Sequence, residues 1–507
     1  MNTSDYLLQT SQDQHLALIT SQERHTYGNL KEASACIAQE LFTQGVRSGD
    51  RVGLLSTNSL FWVASYLAIL KLGAVVVPFS ATLPPSELQL RQNFIQCKVV
   101  CVEKRFYQRL PINVPLVLED SLKSASTSSW EEIPSNSDEQ QDAVLMFTSG
   151  TTARPRVVRI THQNIQANTE SIISYLELTS AERMLSILPF DYCFGTSLLH
   201  THLRIGGSLV LSRFLYPEAV LNLLEATECT GLAGVPSIYQ TLLRNTTFPK
   251  RQLKSLRKVQ QAGGKLSNVL IEELIAAVPA AQVYVMYGQT EATARLSYLP
   301  PEFLKTKLGS VGRGIPGVEL RILGEAGGEV KPGEVGEIVA RGANISPGYL
   351  DDPEATAEKF KDGALYTGDL ATVDEDGFIY IMDRKADFIK SYGHRVSSQV
   401  VEACVLELAD VVAAAAIGVP DPVRGEAIKV YVTLRNGSPL NPTEIIGHCK
   451  QRQPVYVVPQ EVMVVKSLPM NENGKVLKSA LRQQVAEMGQ QIISESNGTR
   501  LCVALPG

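Results

Sequence analysis

Residues 51–79, RVGLLSTNSLFWVASYLAILKLGAVVVPF, set two apolar, strand-like runs on either side of an amphipathic stretch. Several segments repeat this order of strand-like run and helical pattern, which implies helices packed on a largely parallel sheet. At 507 residues the chain exceeds the size at which a single core stops growing, so two or more units are expected. From about Gly317 to Arg341 the texture changes: short alternating runs such as VELRIL and GEIVARG, separated by Gly and Pro, predict a small antiparallel or barrel-like subdomain. After DRKAD (383–387) comes an α+β stretch of about a hundred residues, an ordinary size for a small domain. The expected class is therefore α/β: a large N-terminal domain of mainly parallel sheets flanked by helices with a barrel-like subdomain (1–384), then a small α+β C-terminal domain (385–488) and a frayed tail (489–507). The serine-rich segment 121–141 reads as a surface loop leading into the next strand rather than as a boundary.

The formal charge of −5, with Lys and Arg dispersed, gives no basic field for nucleic acid. The eight cysteines are scattered, and the near pair Cys97 and Cys101 flanks KVV in an expected strand, so they read as core thiols of a reducing cytoplasm rather than a metal pair. The opening twenty residues lack a basic segment followed by an apolar one, and no apolar run approaches a membrane span. A cytoplasmic protein with neither nucleic acid nor membrane as partner is expected.

The stretch LMFTSGTTARPRVVRITHQN (145–164) puts Thr148, Ser149, Gly150, Thr151 and Thr152 directly behind an apolar run, with Arg154 and Arg156 following. Small residues let backbone N–H groups approach a ligand, hydroxyls add donors, and arginine adds a fixed fork of charge, a combination suited to polyphosphate. The spacing is not GxxxxGK[ST], and a polar turn before a helix beginning near Thr161 accounts for the same composition.

Four further segments bear on that choice: MYGQTEATA (286–294), GEVGEIVARGANISPGYL (333–350), LYTGDLATVDEDGFIYIMDRKADFIKSYGHRVSSQVVE (365–402) and LPMNENGKVLKSAL (468–481). With TSGTTARPR they resemble, in order and approximate spacing, the adenylate-forming ligases, the superfamily of acyl-CoA synthetases, luciferases and peptide-synthetase adenylation domains. The resemblance runs from about Thr26 to Leu481. It implies ATP and Mg²⁺ as cofactors and a mobile C-terminal domain. Thr148, Ser149, Gly150, Thr151, Thr152 and Arg156 would form the ATP-phosphate loop. Tyr287 and Gly288 would face the purine, Thr290 and Glu291 would offer hard oxygens to the metal, and Asp369 would accept from the ribose hydroxyls. Gly263 and Gly264 of QAGGKL would let a strand approach substrate or adenine. Arg384 would lie near the ribose and the hinge, and Arg395 would reach phosphate. Lys475 would bridge the carboxylate and the α-phosphate, while Gly393 would meet the incoming thiol after the small domain turns. Among these, Lys475, Glu291, Thr148 and Arg395 are the expected catalytic residues.

The chain departs from the family pattern TGxPKG at Ala153, Arg156 and Val157, which stand where Gly, Lys and Gly are usual. Arg156 keeps the charge, but two lost glycines reduce backbone freedom. Ala386 replaces a usually charged hinge residue. These changes leave room for a non-catalytic nucleotide-binding scaffold, against which Glu291, Asp369, Arg395 and Lys475 argue.

For the acid, ILPFDYCFG (187–195) has Asp191 where acyl and aryl ligases carry His or an aromatic residue and where peptide-synthetase domains carry an aspartate that pairs with the substrate ammonium. With Phe190, Phe194, Val235, Pro236 and Gly264 as an otherwise apolar pocket, a buried Asp191 calls for a cation, which a small amino acid such as proline would supply. Asp191 also reads as a helix N-cap. The first choice predicts loading of the phosphopantetheine arm of a carrier protein acting in trans, since the chain stops soon after Lys475. The second predicts an acyl- or aryl-CoA ligase using free CoA and an uncharged acid.

Overall fold

The computed structural model describes residues 1–110, 114–123, 129–135, 138–148, 156–384, 387–471 and 473–487. The chain divides into two compact units, one of residues 1–266 with 271–381, the other of residues 267–270 with the chain from 382 onward.

The large unit contains three sheets. In the first, six strands run in the order Leu116–Leu118, Val99–Val102, Arg51–Leu55, Val75–Pro78, Asp142–Phe147, Val157–Thr161. All pairs are parallel except the last, an antiparallel pair on either side of the phosphate-loop sequence. The stretch read as strand–helix–strand is Arg51–Leu55, Leu60–Lys71 and Val75–Pro78. Its helix is buried from Phe61 to Lys71, as an apolar-all-round interior helix should be, and Ser59 caps it by accepting from the Trp62 N–H at 3.1 Å. Cys101 is buried in the strand Val99–Val102 and Cys97 just ahead of it.

The second sheet has nine strands. Its parallel interior places Gln282–Tyr287, Lys258–Gln261, Gly231–Gly234, Arg183–Ser186, Ser208–Leu211 and Leu16–Ile19 side by side. Ligands of such sheets sit at the carboxyl ends of the strands. Those ends here deliver YGQTE after Met286, AGG after Gln261 and Val235–Pro236 after Gly234. The third sheet is the small subdomain expected from the alternating runs: antiparallel strands Val318–Leu323, Gly336–Gly342, Ala364–Val373 and Phe360–Lys361, with Ile379–Arg384 paired to Ala364–Val373.

The helix expected near Thr161 is His162–Leu176, with Thr161 and Asn164 forming a capping box. The small unit is a five-stranded sheet, His394–Ser397, Phe388–Ser391, Gly425–Leu434 and Val411–Asp421 with Glu461–Val464, packed with helices Ser398–Leu406 and Pro442–Arg452. Its core gathers Ala415, Ile417, Tyr431, Leu468 and Leu481. Among the described residues no helix is long and apolar enough to cross a membrane.

Candidate active site

Thr148 follows the strand Asp142–Phe147 half-buried, and its N–H donates to the Arg156 carbonyl at 3.0 Å, closing the antiparallel pair across the loop. Ser149, Gly150, Thr151 and Thr152 lie outside the described residues. Val157 has a structural reason for not being glycine: it is a buried strand residue in the cluster with Leu145 and Leu350. Its carbonyl accepts from the Leu350 N–H at 2.9 Å, and the Arg159 N–H donates to the Gly348 carbonyl at 3.0 Å. The PGYL segment is thereby laid beside the strand that leaves the phosphate loop. Tyr349 presents its ring to the Arg156 guanidinium, 5.1 Å from the centroid, and its hydroxyl donates to Glu291 Oε1 at 2.8 Å. Burial, then the Glu291 charge, raises the Tyr349 hydroxyl well above its ordinary range, with Arg156 opposing, so Tyr349 stays a donor.

Glu291 sits on a single 3₁₀ turn, Thr290–Ala292, in the loop that leaves the central strand Gln282–Tyr287. A Cβ on Gly288 would lie 2.0 Å from the Ala294 carbonyl oxygen, so only glycine allows the loop to fold back here. The loop is closed by the Leu296 N–H on the Tyr287 carbonyl at 2.8 Å and pinned by the Thr293 hydroxyl on the Asn344 carbonyl at 2.7 Å. The Thr290 hydroxyl stands 3.6 Å from the Cys193 sulfur.

Tyr287 is half-buried against Leu320, Ile338 and Leu365, and its hydroxyl donates to Asp369 Oδ2 at 2.6 Å. Burial first, and the Asp369 charge second, hold that hydroxyl far above its usual range. The expected purine and ribose residues are thus brought together from different sheets. Asp369 is itself buried, with its N–H on the Thr367 hydroxyl at 3.2 Å, and Gly368 takes φ +78° just before it, where the strand Ala364–Val373 slips register against Gly336–Gly342. Gly263 adopts φ +86°; a Cβ on the exposed Gly264 would stand 3.2 Å from Pro236 Cγ. The Gln261 side chain donates to the Gly264 carbonyl at 2.7 Å and holds this loop.

The expected acid pocket is altered by the structure. Asp191 is half-buried rather than sealed in an apolar box, which removes the desolvation argument for a cationic partner. The N-cap position of the helix Cys193–Arg204 is Tyr192, one residue after Asp191, and Tyr192 makes no side-chain cap bond. Phe190 and Phe194 are core side chains, Phe190 against Trp62 at 5.1 Å between centroids and Phe194 beneath the Arg295 guanidinium at 4.1 Å. Val235 is buried as the N-cap of the helix Pro236–Asn245, and Pro236 is half-buried at its first turn. His200 is a packing residue, its Nε2 2.7 Å from the Tyr66 hydroxyl.

In the small unit, Lys475 follows a turn built by Asn471, whose side-chain oxygen accepts from the Lys475 N–H at 2.9 Å and the Asn473 N–H at 3.0 Å. Gly474 takes φ +75° there. Gly393 is an exposed turn residue at φ +78°, and a Cβ on it would meet nothing within 4 Å. The Arg395 guanidinium lies 4.2 Å from the centroid of the Phe388 ring on the paired strand. Arg384 ends the strand Ile379–Arg384, and its side chain lies outside the described residues, as does Ala386.

Sequence reasoning missed Tyr349 and Arg295. Tyr349 was visible only as part of PGYL, and its partner Glu291 is 58 residues away.

The chain matches the AMP-binding enzyme family over residues 9–350 and the AMP-binding enzyme C-terminal domain over residues 400–475. It is 32% identical over 472 residues to a feruloyl-CoA synthase of an Amycolatopsis species, covering 90% of this chain and 94% of that one. It is also similar to the o-succinylbenzoate CoA synthetase of Bacillus subtilis in complex with its acyl-adenylate intermediate, with a TM-score of 0.83, 29% identity and 95% and 97% of the two chains covered. For ATP-bound MatB from Rhodopseudomonas palustris the TM-score is 0.85 at 26% identity, with 95% and 98% covered. The chain belongs to the AMP-binding family of adenylate-forming enzymes and is an AMP-forming acid–thiol ligase that uses ATP.

Proposed function

We propose that this ligase joins a small carboxylic acid to coenzyme A through an acyl-adenylate. The observation that carries the reading is the paired arrangement of Tyr287 on Asp369 and Tyr349 on Glu291, which fixes two carboxylates on either side of one loop. Asp369 then accepts from the ribose hydroxyls. Glu291 fits Mg²⁺: one carboxylate oxygen is oriented by Tyr349, Thr290 is its neighbour on the same 3₁₀ turn, and magnesium takes few protein ligands in favour of water and phosphate. Bound there, the ion would neutralise charge on the phosphates. Arg156 and the Thr148 loop hold the phosphate chain, Arg395 serves phosphate, and Lys475 bridges the carboxylate and the α-phosphate. The acid's carboxylate oxygen attacks the α-phosphorus and displaces pyrophosphate; the CoA sulfur then attacks the acyl carbon and displaces AMP, near Gly393.

CoA is favoured over a carrier protein because the curated relatives include CoA synthases and CoA ligases, among them a 2-succinylbenzoate–CoA ligase of a Geobacillus species at 28% identity. The half-buried Asp191 lends no support to an amino acid, so proline loading onto a carrier is set aside. The test is to incubate the enzyme with ATP, Mg²⁺, CoA and a panel of acids, following AMP, pyrophosphate and thioester by mass spectrometry. One thioester per AMP with free CoA is expected. Thioester formed only on a phosphopantetheinyl carrier protein, or release of ADP, would overturn it.

A further inference from the structure

Arg295 lies four residues beyond Glu291, is 1% exposed, and has its guanidinium 4.1 Å over the Phe194 ring. Its Nε and Nη2 are buried and find no hydrogen-bond partner among the described residues. These two nitrogens form the side-on edge that grips a carboxylate with two parallel bonds. The same molecule shows that edge in use: Arg244 donates from Nε and Nη2 to the two oxygens of Glu273 at 3.2 and 2.7 Å. In Arg295 the corresponding edge meets no carboxylate of the described chain, and a buried cation without an anion is costly.

A second orphan belongs to the same layer. Gln260 is 0% exposed, and neither its side-chain oxygen nor its nitrogen has a partner among the described residues. Gln260 pairs with Tyr284 across the strands, so Gln260, Tyr284 and Met286 share one sheet face. Met286 is joined to that side of the helix His162–Leu176 through the Tyr175 hydroxyl, 3.1 Å from its sulfur. The same helix also holds Arg295, the Asn168 side chain donating to its carbonyl at 3.3 Å, and the Arg295 charge opposes the burial that pushes the Tyr175 hydroxyl up to about 12. Gln260 and Arg295 each stand just beside a loop of the proposed active site, one before Gly263 and the other after Glu291.

We infer that the acid activated by this enzyme carries a second carboxylate, gripped side-on by Arg295 Nε and Nη2 with the Gln260 amide alongside. The inference rests on the ligase reading and names its substrate class. A planar fork of two donors matches a carboxylate, and a neutral amide beside it can donate to one oxygen without adding charge. Arg295 would be a specificity residue, distant from the carboxylate that reacts with ATP.

The test uses a series of aliphatic and aromatic dicarboxylic acids, each against its monomethyl ester, on the full-length enzyme and on Arg295→Met and Gln260→Leu. In ATP–pyrophosphate exchange, the parent should favour its best diacid over the matched ester by about a hundredfold in kcat/KM, the scale set by a buried ion pair losing one partner. Arg295→Met should bring that ratio to about one, and Gln260→Leu should lower it about tenfold. Independently of turnover, the preferred diacid should raise the parent's Tm and leave that of Arg295→Met unmoved. Acid-free Arg295→Met should melt no lower than the parent, because a hydrophobic isostere replaces an unpaired buried charge. A parent that handles esters as well as diacids overturns the inference, as does an Arg295→Met enzyme that melts lower and loses both members of each pair equally. If no acid supports exchange, the ligase reading fails, and the diacid-dependent Tm shift still decides whether Arg295 binds a carboxylate.

Discussion

The two units hold their proposed functional side chains by different means. In the large unit, Asp369 and Glu291 are each fixed by a tyrosine hydroxyl from a segment 82 or 58 residues away, and both tyrosines are kept protonated by burial. In the small unit, Lys475 and Gly393 sit on turns shaped by local means: the Asn471 side chain on its own backbone, and glycines at positive φ. Groups that must be in place before the substrate arrives are worth pre-organising. Groups that serve one step each need only a well-formed turn that presents them. Under the proposed function, the large unit would position the nucleotide and the small unit would supply the groups that act in one step each.

The largest effect should come from Glu291→Gln, which keeps the shape and removes the charge. Pyrophosphate exchange should fall roughly 10²–10³-fold. A loss smaller than tenfold, measured at saturating ATP and Mg²⁺, would show that the metal is held elsewhere.

Tyr349→Phe deletes one charge-assisted hydrogen bond and should slow exchange about tenfold. Combined with Glu291→Gln it should add little, because Tyr349 acts through the Glu291 carboxylate that the second change has already removed. Full additivity in that double mutant would mean that Tyr349 acts on something other than Glu291.

Acid should distinguish the units as well. Burial lowers His200 to about 3 and His162 and His202 to about 4, all in the large unit. Unfolded histidines take up protons near the ordinary 6.5 while these stay neutral, so the unfolded state binds more protons below that value. The stabilisation is complete above about pH 6.5 and is lost as pH falls towards about 4. Denaturant titrations of the whole protein should show the large unit's transition moving to lower denaturant over that window. A transition that does not move would contradict the buried, neutral assignment.

The smallest effect is expected of Asp191→Asn. A half-buried carboxylate outside the helix cap should tolerate the change with about a twofold effect or less on acid preference. A switch of preference towards deamino acids would restore the amino-acid reading.

The parts of the site that were legible in the sequence are those whose chemistry is written in consecutive residues. YGQTE and ENGK each combine a turn with a functional group, and TGD sets its aspartate beside a strand glycine at positive φ, so residue type and local conformation point the same way. The parallel sheets were legible from fully apolar strands such as Val75–Pro78 flanking a helix. Contacts between distant segments were not. Nothing local marks Tyr349 as the holder of Glu291, and the arginine of TEATARL looks like any other until its burial is known. Asp191 misled for the opposite reason: FDYCFG offers a strong local signal for a cap or an ion pair, but the helix begins one residue later and the carboxylate is half-buried.

The division of labour between the units is tested most directly by following both half-reactions in Lys475→Ala and Gly393→Leu. Lys475→Ala should reduce pyrophosphate exchange by about a hundredfold while transfer from a supplied acyl-adenylate to CoA changes only a few-fold. Gly393→Leu, strained at φ +78°, should do the reverse and leave exchange nearly intact. Opposite losses are the result the account predicts; equal losses in both half-reactions for either variant would contradict it.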